Sequence, residues 1–336
     1  MAVQIQGSAS IAFSQQRPVR LAAARHPGNN NDNTAGLALI DIDGTVLARS
    51  GLGSRYTSIA WSKADSIKGE ELGIIAASHS DGVIDLISAS KLLDGQEQSL
   101  LGNIQTKINP FIQLDFSQHA EGLLLAVSTR DIRLYDISAG IDNIVEYSKK
   151  EGLELDLNEQ YVSAKWNKKV NKVFGVLNSK GVMITYKVND QDKTYSQWTI
   201  IDGGHLQKDK EEQEENQKEK NIQYESLDFN SVIATQFVII GQIEGKGSVR
   251  VFDMRNANDP IIDFILDNQQ QQVNKTQKKD KEVKSIKNNK LVSVDWCSAD
   301  PNYIVACNEE GISYCWSLAS KRLLGELNIK QQSKVK

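Results

Sequence analysis

Three cysteines, four histidines and a few Asp-Gly turns are the residues whose types could do chemistry in this 336-residue sequence. Cys297, Cys307 and Cys315 are spaced ten and eight residues apart, which matches no Cys-x-x-Cys zinc or redox pattern. His26, His79, His119 and His205 are not spaced to complete a ligand set with them. An odd, unpatterned thiol count fits a reducing compartment. Cys307, inside the run YIVAC, is expected to be a small buried hydrophobe. Asp81-Gly82 and Asp131 stand between apolar runs, where such residues make hairpin turns rather than acid/base pairs. Trp296 and Trp316 could stack bases, but their place in neighbouring strands of one unit predicts packing instead. The sequence contains no phosphate-binding glycine loop, nucleophile elbow or His-Glu-x-x-His helix. No catalytic, cofactor-binding or metal-ligating residue is assigned, and no residue is singled out for protein binding.

The elements that hold these residues are short strands. From Leu291 to Leu327 the chain has four apolar bursts: LVSVDW, YIVAC, ISYCWSL and RLLGEL. Between them lie Ser298-Ala299-Asp300-Pro301, Asn308-Glu309-Glu310-Gly311 and the polar turn Ala319 to Lys321. Pro301 presets φ, Gly311 tolerates positive φ, and Asn and Asp side chains bond back to the local backbone. The stretch predicts a four-stranded antiparallel meander whose second strand, flanked on both sides, is apolar throughout.

That unit repeats. An aromatic residue after an apolar-x pair recurs at Phe13, Trp61, Phe116, Trp166, Phe229 and Trp296, at spacings of 48, 55, 50, 63 and 67 residues. An apolar run follows each landmark, then a turn, then a third strand: GLALIDID, GVIDLIS, DIRLYDIS, GVMITYKV, SVRVFDMR and GISYCWSL. Tyr135-Asp136 and Phe252-Asp253 stand where a WD repeat carries Trp-Asp, and Trp316-Ser317 is a weaker version. Gly204-His205, ahead of the fifth repeat, is the only Gly-His pair in the sequence. The fold class predicted is all-β: a WD-repeat β-propeller with six recognisable blades, forming one domain over residues 1–336. No segment sustains capped helical periodicity, which argues against an α/β fold, and about two dozen strands are too many for a sandwich.

Two polar tracts, 207–221 and 268–290, sit between blades and carry too little apolar surface to offset their ordering entropy. A shorter insert, His26 to Thr34, falls inside the first repeat. Lys and Arg number 39 against 43 Asp and Glu, a net charge of -4, so bulk charge does not make this a duplex nucleic-acid binder. The opening MAVQIQGSASIAF lacks a basic start and a continuous apolar core, and no run approaches the roughly 18 apolar residues of a membrane span. A cytosolic chain is expected.

Three stretches narrow the propeller. The second repeat, from Tyr56, has a long first hairpin loop, KADSIKGEE, and a Lys-Leu-Leu segment after its third strand. The fifth begins Ala234-Thr235-Gln236 and carries Phe252-Asp253-Met254-Arg255 ahead of Pro260-Ile261. The sixth carries Ala299-Asp300-Pro301 and Cys315-Trp316. These collinear features resemble the larger, WD-repeat plus α-solenoid subunit of the COPII vesicle outer coat, in its propeller region. The resemblance implies a structural role in vesicle formation between endoplasmic reticulum and Golgi, working through protein contacts without a cofactor. It also implies partnership with a smaller WD-repeat outer-coat subunit and with inner-coat subunits, propeller–propeller contacts, and peripheral membrane association only through the coat, at endoplasmic reticulum exit sites. The family's propeller has seven blades where six repeats are found here, and no α-solenoid or proline-rich region is seen in a sequence with five prolines. Six blades predict either a tighter ring or an open one with unpaired terminal strands. The competing reading is a generic WD-repeat adaptor, such as a ubiquitin-ligase substrate receptor or a ribonucleoprotein scaffold.

Overall fold

The computed structural model describes residues 9–25, 36–50, 56–96, 98–106, 110–150, 160–202, 222–256, 259–266 and 290–328. The inserts at 26–34 and 207–221, the second insert up to residue 289, and Gly204-His205 lie outside the described residues.

Six sheets follow one another along the chain. Blade 1 holds β1 (Ala9–Phe13), β2 (Arg20–Arg25), β3 (Gly36–Asp41) and β4 (Val46–Arg49). Blade 2 holds β5 (Tyr56–Trp61), β6 (Ile74–His79), β7 (Ile84–Ser88) and β8 (Leu100–Ile104), with a short helix α1 (Ala89–Leu93) after β7. Blade 3 holds β9 (Phe111–Phe116), β10 (Leu123–Ser128), β11 (Ile132–Asp136) and β12 (Val145–Glu146). A short strand β13 (Ser148–Lys149) precedes blade 4, which runs β14 (Tyr161–Trp166), β15 (Val173–Asn178), β16 (Val182–Asn189) and β17 (Thr194–Asp202). Blade 5 holds β18 (Ile222–Phe229), β19 (Gln236–Ile243), β20 (Lys246–Asp253) and β21 (Ile262–Ile265). Blade 6 holds β22 (Leu291–Trp296), β23 (Tyr303–Asn308), β24 (Ile312–Ser317) and β25 (Arg322–Asn328). The architecture is the all-β, six-bladed propeller class that the repeats predict. Contacts divide the chain into two compact units: blades 1 to 3 with part of blade 4, and the rest of blade 4 with blades 5 and 6.

The turns form as their residues dictate. Asn308 Oδ1 accepts the amides of Glu310 and Ile312, and Gly311 takes φ +81°. Asn178 does the same for Lys180 and Val182 in blade 4. Asp81 and Asp131 serve turns, accepting the amides of Val83 and Ile132. The Ala299-Asp300-Pro301 turn is tied to its strand: Asp300 accepts the Asn302 amide, and the Pro301 carbonyl accepts the Trp296 indole N–H at 2.8 Å. The long first loop of blade 2 is folded rather than slack. Ile67 joins the core, and Glu70 accepts the hydroxyl of Ser88, the residue that caps α1.

One strand departs from the four-stranded expectation. Two residues beyond Val145, the chain leaves blade 3, and β13 pairs in parallel with β17, giving blade 4 a fifth strand. Tyr147, between β12 and β13, is buried; its hydroxyl bonds Asp190 at 3.2 Å and accepts the Lys193 ammonium at 3.1 Å. The amides of Ser148 and Lys150 go to the carbonyls of Lys193 and Tyr195. Part of the outer edge of blade 4 is thereby paired.

The repeat landmarks fall in one cross-strand row per blade: Trp61–Ile75–Ile87, Phe116–Leu124–Tyr135, Phe229–Phe237–Phe252 and Trp296–Ile304–Trp316. The first-strand aromatic and the residue at the Trp position of a WD repeat are therefore partners on one face. In blade 5 the rings of Phe237 and Phe252 stack at 5.4 Å. Blade 1 has the same row, Phe13–Leu21–Ile40. All the aromatic members are buried except Phe13, which is 57% exposed. Trp296→Ala should therefore cost about 3–5 kcal/mol, a large-to-small loss in a packed core, while Phe13→Ala should cost under about 1 kcal/mol. Denaturant unfolding followed by circular dichroism measures both.

Candidate protein interface

Each blade has two faces with different jobs. We call the face carrying the aromatic row the back and the opposite face the front. The front of blade 1 (Ala22, Ala24, Leu37, Leu39) packs on the back of blade 2 (Ile59, Trp61, Ile75, Ala77). The front of blade 2 (Ala60, Ile74, Ala76, Leu86) packs on the back of blade 3 (Phe116, Leu124, Ala126, Tyr135). The front of blade 5 (Val238, Ile240, Val249, Val251) packs on the back of blade 6 (Val294, Trp296, Ile304, Trp316). Small and branched aliphatic fronts leave room for large aromatic backs, and the pair fills space at core density.

First strands are also joined by polar bonds from one blade to the next. Ser10 Oγ accepts the Ile59 amide at 3.1 Å, and Ser58 Oγ the Leu114 amide at 2.9 Å. Gln113 accepts from Ala164, and Asp115 from Trp166, both at 2.9 Å. Asp228 accepts the Trp296 amide at 2.6 Å and also bonds the Lys168 ammonium, which reaches on to Asp295 at 3.2 Å. Burial works against the Lys168 charge, but Asp228 and Asp295 more than offset it and raise its pKa. Asp115, Asp228 and Asp295 hold the same position in their repeats, one residue before the landmark aromatic.

The residues that could do chemistry are otherwise engaged. His79 is bonded to Asp85 at 2.8 Å, Tyr56 donates to the same carboxylate at 3.2 Å, and the Tyr56 and His79 rings meet edge to face. His119 lies in the blade 3 turn with its amide on Ser117, and His26 and His205 lie outside the described residues. Trp296 and Trp316 pack between blades 5 and 6, as expected. Asp136 and Asp253, in the WD position, bind locally: Asp136 to Ser138 and Lys193, Asp253 to Arg255. Among the described residues no group of three or more His, Cys, Asp and Glu could hold a metal ion, and no helix is long and apolar enough to cross a membrane.

Two expectations about blade 6 need correction. Cys307 is half-exposed rather than buried, and β23 is not covered throughout, with Tyr303 36% and Val305 37% exposed. Both lie on the front of blade 6. There Tyr303 pairs with Ser317, Val305 with Cys315 and Cys307 with Ser313, the last pair in side-chain contact at 2.9 Å. Neighbouring strands satisfy the backbone of β23, and the matching fronts of blades 1, 2 and 5 pack on the blade after each. Burial first, and the nearby Cys297 second, push the Cys315 thiol up. On the back of blade 1, Ile11 is 52% exposed beside Phe13, while Ala23 and Ile40 on the same face are buried. Beyond the expectation of unpaired terminal strands in an open ring, sequence reasoning did not single out these exposed side chains. In the sixth repeat the front positions hold Cys307, Ser313 and Cys315 where blade 5 has Ile240, Val249 and Val251.

No protein-family model matches the chain. It is 21% identical over 296 residues to the protein transport protein SEC31 of Dictyostelium discoideum, which covers 84% of this chain and 18% of that protein. It is 20% identical over 332 residues to Sec31A of Danio rerio (95% of this chain, 23% of that one) and 19% identical over 275 residues to Sec31B of Mus musculus (82% and 20%). The chain thus spans about a fifth of the length of these curated relatives. Chains in two COPII structures on membranes, one of the outer coat vertex and one of the assembled coat, superpose with TM-scores of 0.70 at 15% identity. Each match covers 95% of this chain, and 75% and 42% of those chains. The resemblance to the larger outer-coat subunit read from the three collinear stretches is borne out.

Two stability predictions follow from these bonds. Asp228→Ala strands the Lys168 ammonium and the Trp296 amide in a buried site and should cost about 3–5 kcal/mol, whereas Asp115→Ala, at a more exposed carboxylate, should cost about 1 kcal/mol. Chemical denaturation separates them. Burial works against the Asp136 carboxylate, but Ser138 and Lys193 hold it below the usual range; Arg255 holds Asp253 far below it. Carboxylates depressed in the folded state stabilise it above their unfolded pKa near 4, and that contribution is lost as pH falls through the folded value. Melting temperature should therefore fall between about pH 4 and about pH 2, and the fall should be shallower in an Asp136→Asn, Asp253→Asn double variant.

Proposed function

We propose that this chain is a structural scaffold of the COPII outer coat in protein transport, acting through protein–protein contacts made by a single propeller domain spanning residues 1–336. One observation carries the reading: similarity to Sec31 proteins runs through nearly the whole chain, 95% of it for Sec31A of Danio rerio. The solved COPII chains add the same fold over the same 95%. A coat subunit needs a stiff body with large side surfaces and no reaction centre. Stacked blades with buried aromatic rows supply stiffness, and the residues capable of chemistry in the described part are engaged in turns, strand bonds and packing.

The partners proposed are the smaller WD-repeat subunit of the outer coat, inner-coat subunits and other propellers, with the chain on the cytoplasmic side of endoplasmic reticulum exit sites and held to the membrane only through the coat. No cofactor, nucleic acid or enzymatic activity belongs to this reading. Affinity capture of the tagged full-length gene product followed by mass spectrometry tests it. Recovery of inner- or outer-coat subunits is the expected result. Recovery of ubiquitin-ligase or ribonucleoprotein components without any coat subunit would overturn it in favour of a generic WD-repeat adaptor.

A further inference from the structure

We propose that residues 147–150 form a strap that closes over the start of β17 and opens from it as one unit, with the Lys193 ammonium as its pin. The closed strap guards an edge that β17 would otherwise present to strands of other chains.

Little main chain holds the strap down. β12 meets β11 through two residue pairs, Tyr135–Glu146 and Asp136–Val145, and β13 meets β17 through two more, Ser148–Thr194 and Lys149–Tyr195. The Tyr147 amide goes to the Leu134 carbonyl, and the amides of Ser148 and Lys150 go to those of Lys193 and Tyr195. Ser148, Lys149 and Lys150 are exposed, so they bury no apolar area that would resist lifting. The ion pair of Lys150 with Asp192 joins two side chains about half exposed to water and adds little. A segment with so few buried contacts opens at lower cost than the sheets beside it.

What keeps the strap closed is one side chain and its cage. Tyr147 is buried, its hydroxyl donating to Asp190 at 3.2 Å and accepting from Lys193 at 3.1 Å. Lys172 pairs with the other oxygen of Asp190. The Lys193 ammonium also reaches Asp136 of β11 at 3.3 Å and lies 5.0 Å from the centre of the Tyr147 ring. One cation thus touches the anchor twice and ties it to the strand the strap leaves, while the Lys193 carbonyl ties it to the strand the strap joins. The Tyr147 hydroxyl first, and Asp136 after it, raise the Lys193 pKa against the effect of burial, so the pin stays charged. Its side chain is 44% exposed, so it can let go into water without leaving a buried charge behind.

Lifting the strap frees the carbonyls of Leu134, Lys193 and Tyr195 together and uncovers the edge of β17. An uncovered edge is a template for pairing with another chain, and a covering segment answers that liability. The device does not depend on the coat reading, since it needs only β11, the strap and β17.

Hydrogen–deuterium exchange of the full chain, read by mass spectrometry on peptides covering 143–150 and 190–198, tests the proposal. In the wild type the strap amides should exchange together, at least about tenfold faster than peptides from β6 and β10. Lys193→Gln should speed strap exchange by a further tenfold or about that, with β6 and β10 unchanged, whereas Lys193→Arg, which keeps the charge, should speed it far less. Lys193→Gly separates side chain from turn. Lys193 takes φ +50°, which glycine adopts at less cost, so thermal melting should not fall in this variant, yet its strap should exchange as in Lys193→Gln. Tyr147→Phe keeps the ring and removes the hydroxyl; it should act in the same direction, and it takes the place of any Lys193 variant that circular dichroism shows to be unfolded. Strap amides that exchange in step with β6 and β10 overturn the proposal. So does strap exchange that Lys193→Gln speeds no more than Lys193→Arg does, or that stays at the wild-type rate in Lys193→Gly or Tyr147→Phe.

Discussion

Trp61, Phe116 and Trp296 are buried because the blade before each offers a face of alanine and branched aliphatic residues cut to receive it. This complementarity sets the constraints on the rest of the chain. It fixes strand register, because a one-residue slip would turn the aromatic row to the wrong face. It also accounts for the small second strands, such as IIAAS in blade 2, since bulk on the front would collide with bulk on the neighbouring back. The turns serve the same end: Gly311 and Asn308 close a hairpin so that Ile304 and Trp316 fall in one row.

Polar bonds between first strands add direction to the apolar contact. A hydroxyl, amide or carboxylate on one strand takes a main-chain amide of the next, and the acceptors change from Ser10 and Ser58 to Gln113, Asp115 and Asp228 along the chain. Hydrophobic packing alone is indifferent to small slides, whereas an amide aimed at an oxygen is not. Where the acceptor is the buried Asp228, its charge has to be matched, and Lys168 does so from the first turn of blade 4 while reaching Asp295 in blade 6. That lysine links three repeats. Its value is in holding their relative setting, since a buried ion pair contributes little net stability over a well-packed apolar one.

The fold was legible because its signals are local. Landmark aromatics, alternating strands and Asn, Asp or Gly turns lie within a few residues of one another, and each recurs six times. The role of Trp296 and Trp316 as packing between blades was legible for the same reason. The crossing of Ser148–Lys149 to pair with β17 was not, because it depends on Tyr147 finding Asp190 and Lys193 over forty residues away, a contact with no local pattern. The exposure of Phe13 and Val305 in particular was not legible either. Burial of a sheet face depends on whether another sheet follows it, and YIVAC is as apolar as its counterparts with or without that cover. Only Ser313 and Cys315 on the next strand, where blade 5 has Val249 and Val251, differ.

Those two residues bear on what a half-exposed face can be. A face under permanent cover tends toward Val, Leu and Ile, as in blade 5; one permanently in water tends toward charge, which also guards against unwanted pairing. The front of blade 6 follows neither course. Its serines and cysteines are small, neutral and capable of weak hydrogen bonds, and Tyr303 and Val305 supply apolar area between them. Such a surface costs little when wet. On the back of blade 1, the exposed Phe13 and Ile11 hold positions that blade 2 buries as Trp61 and Ile59.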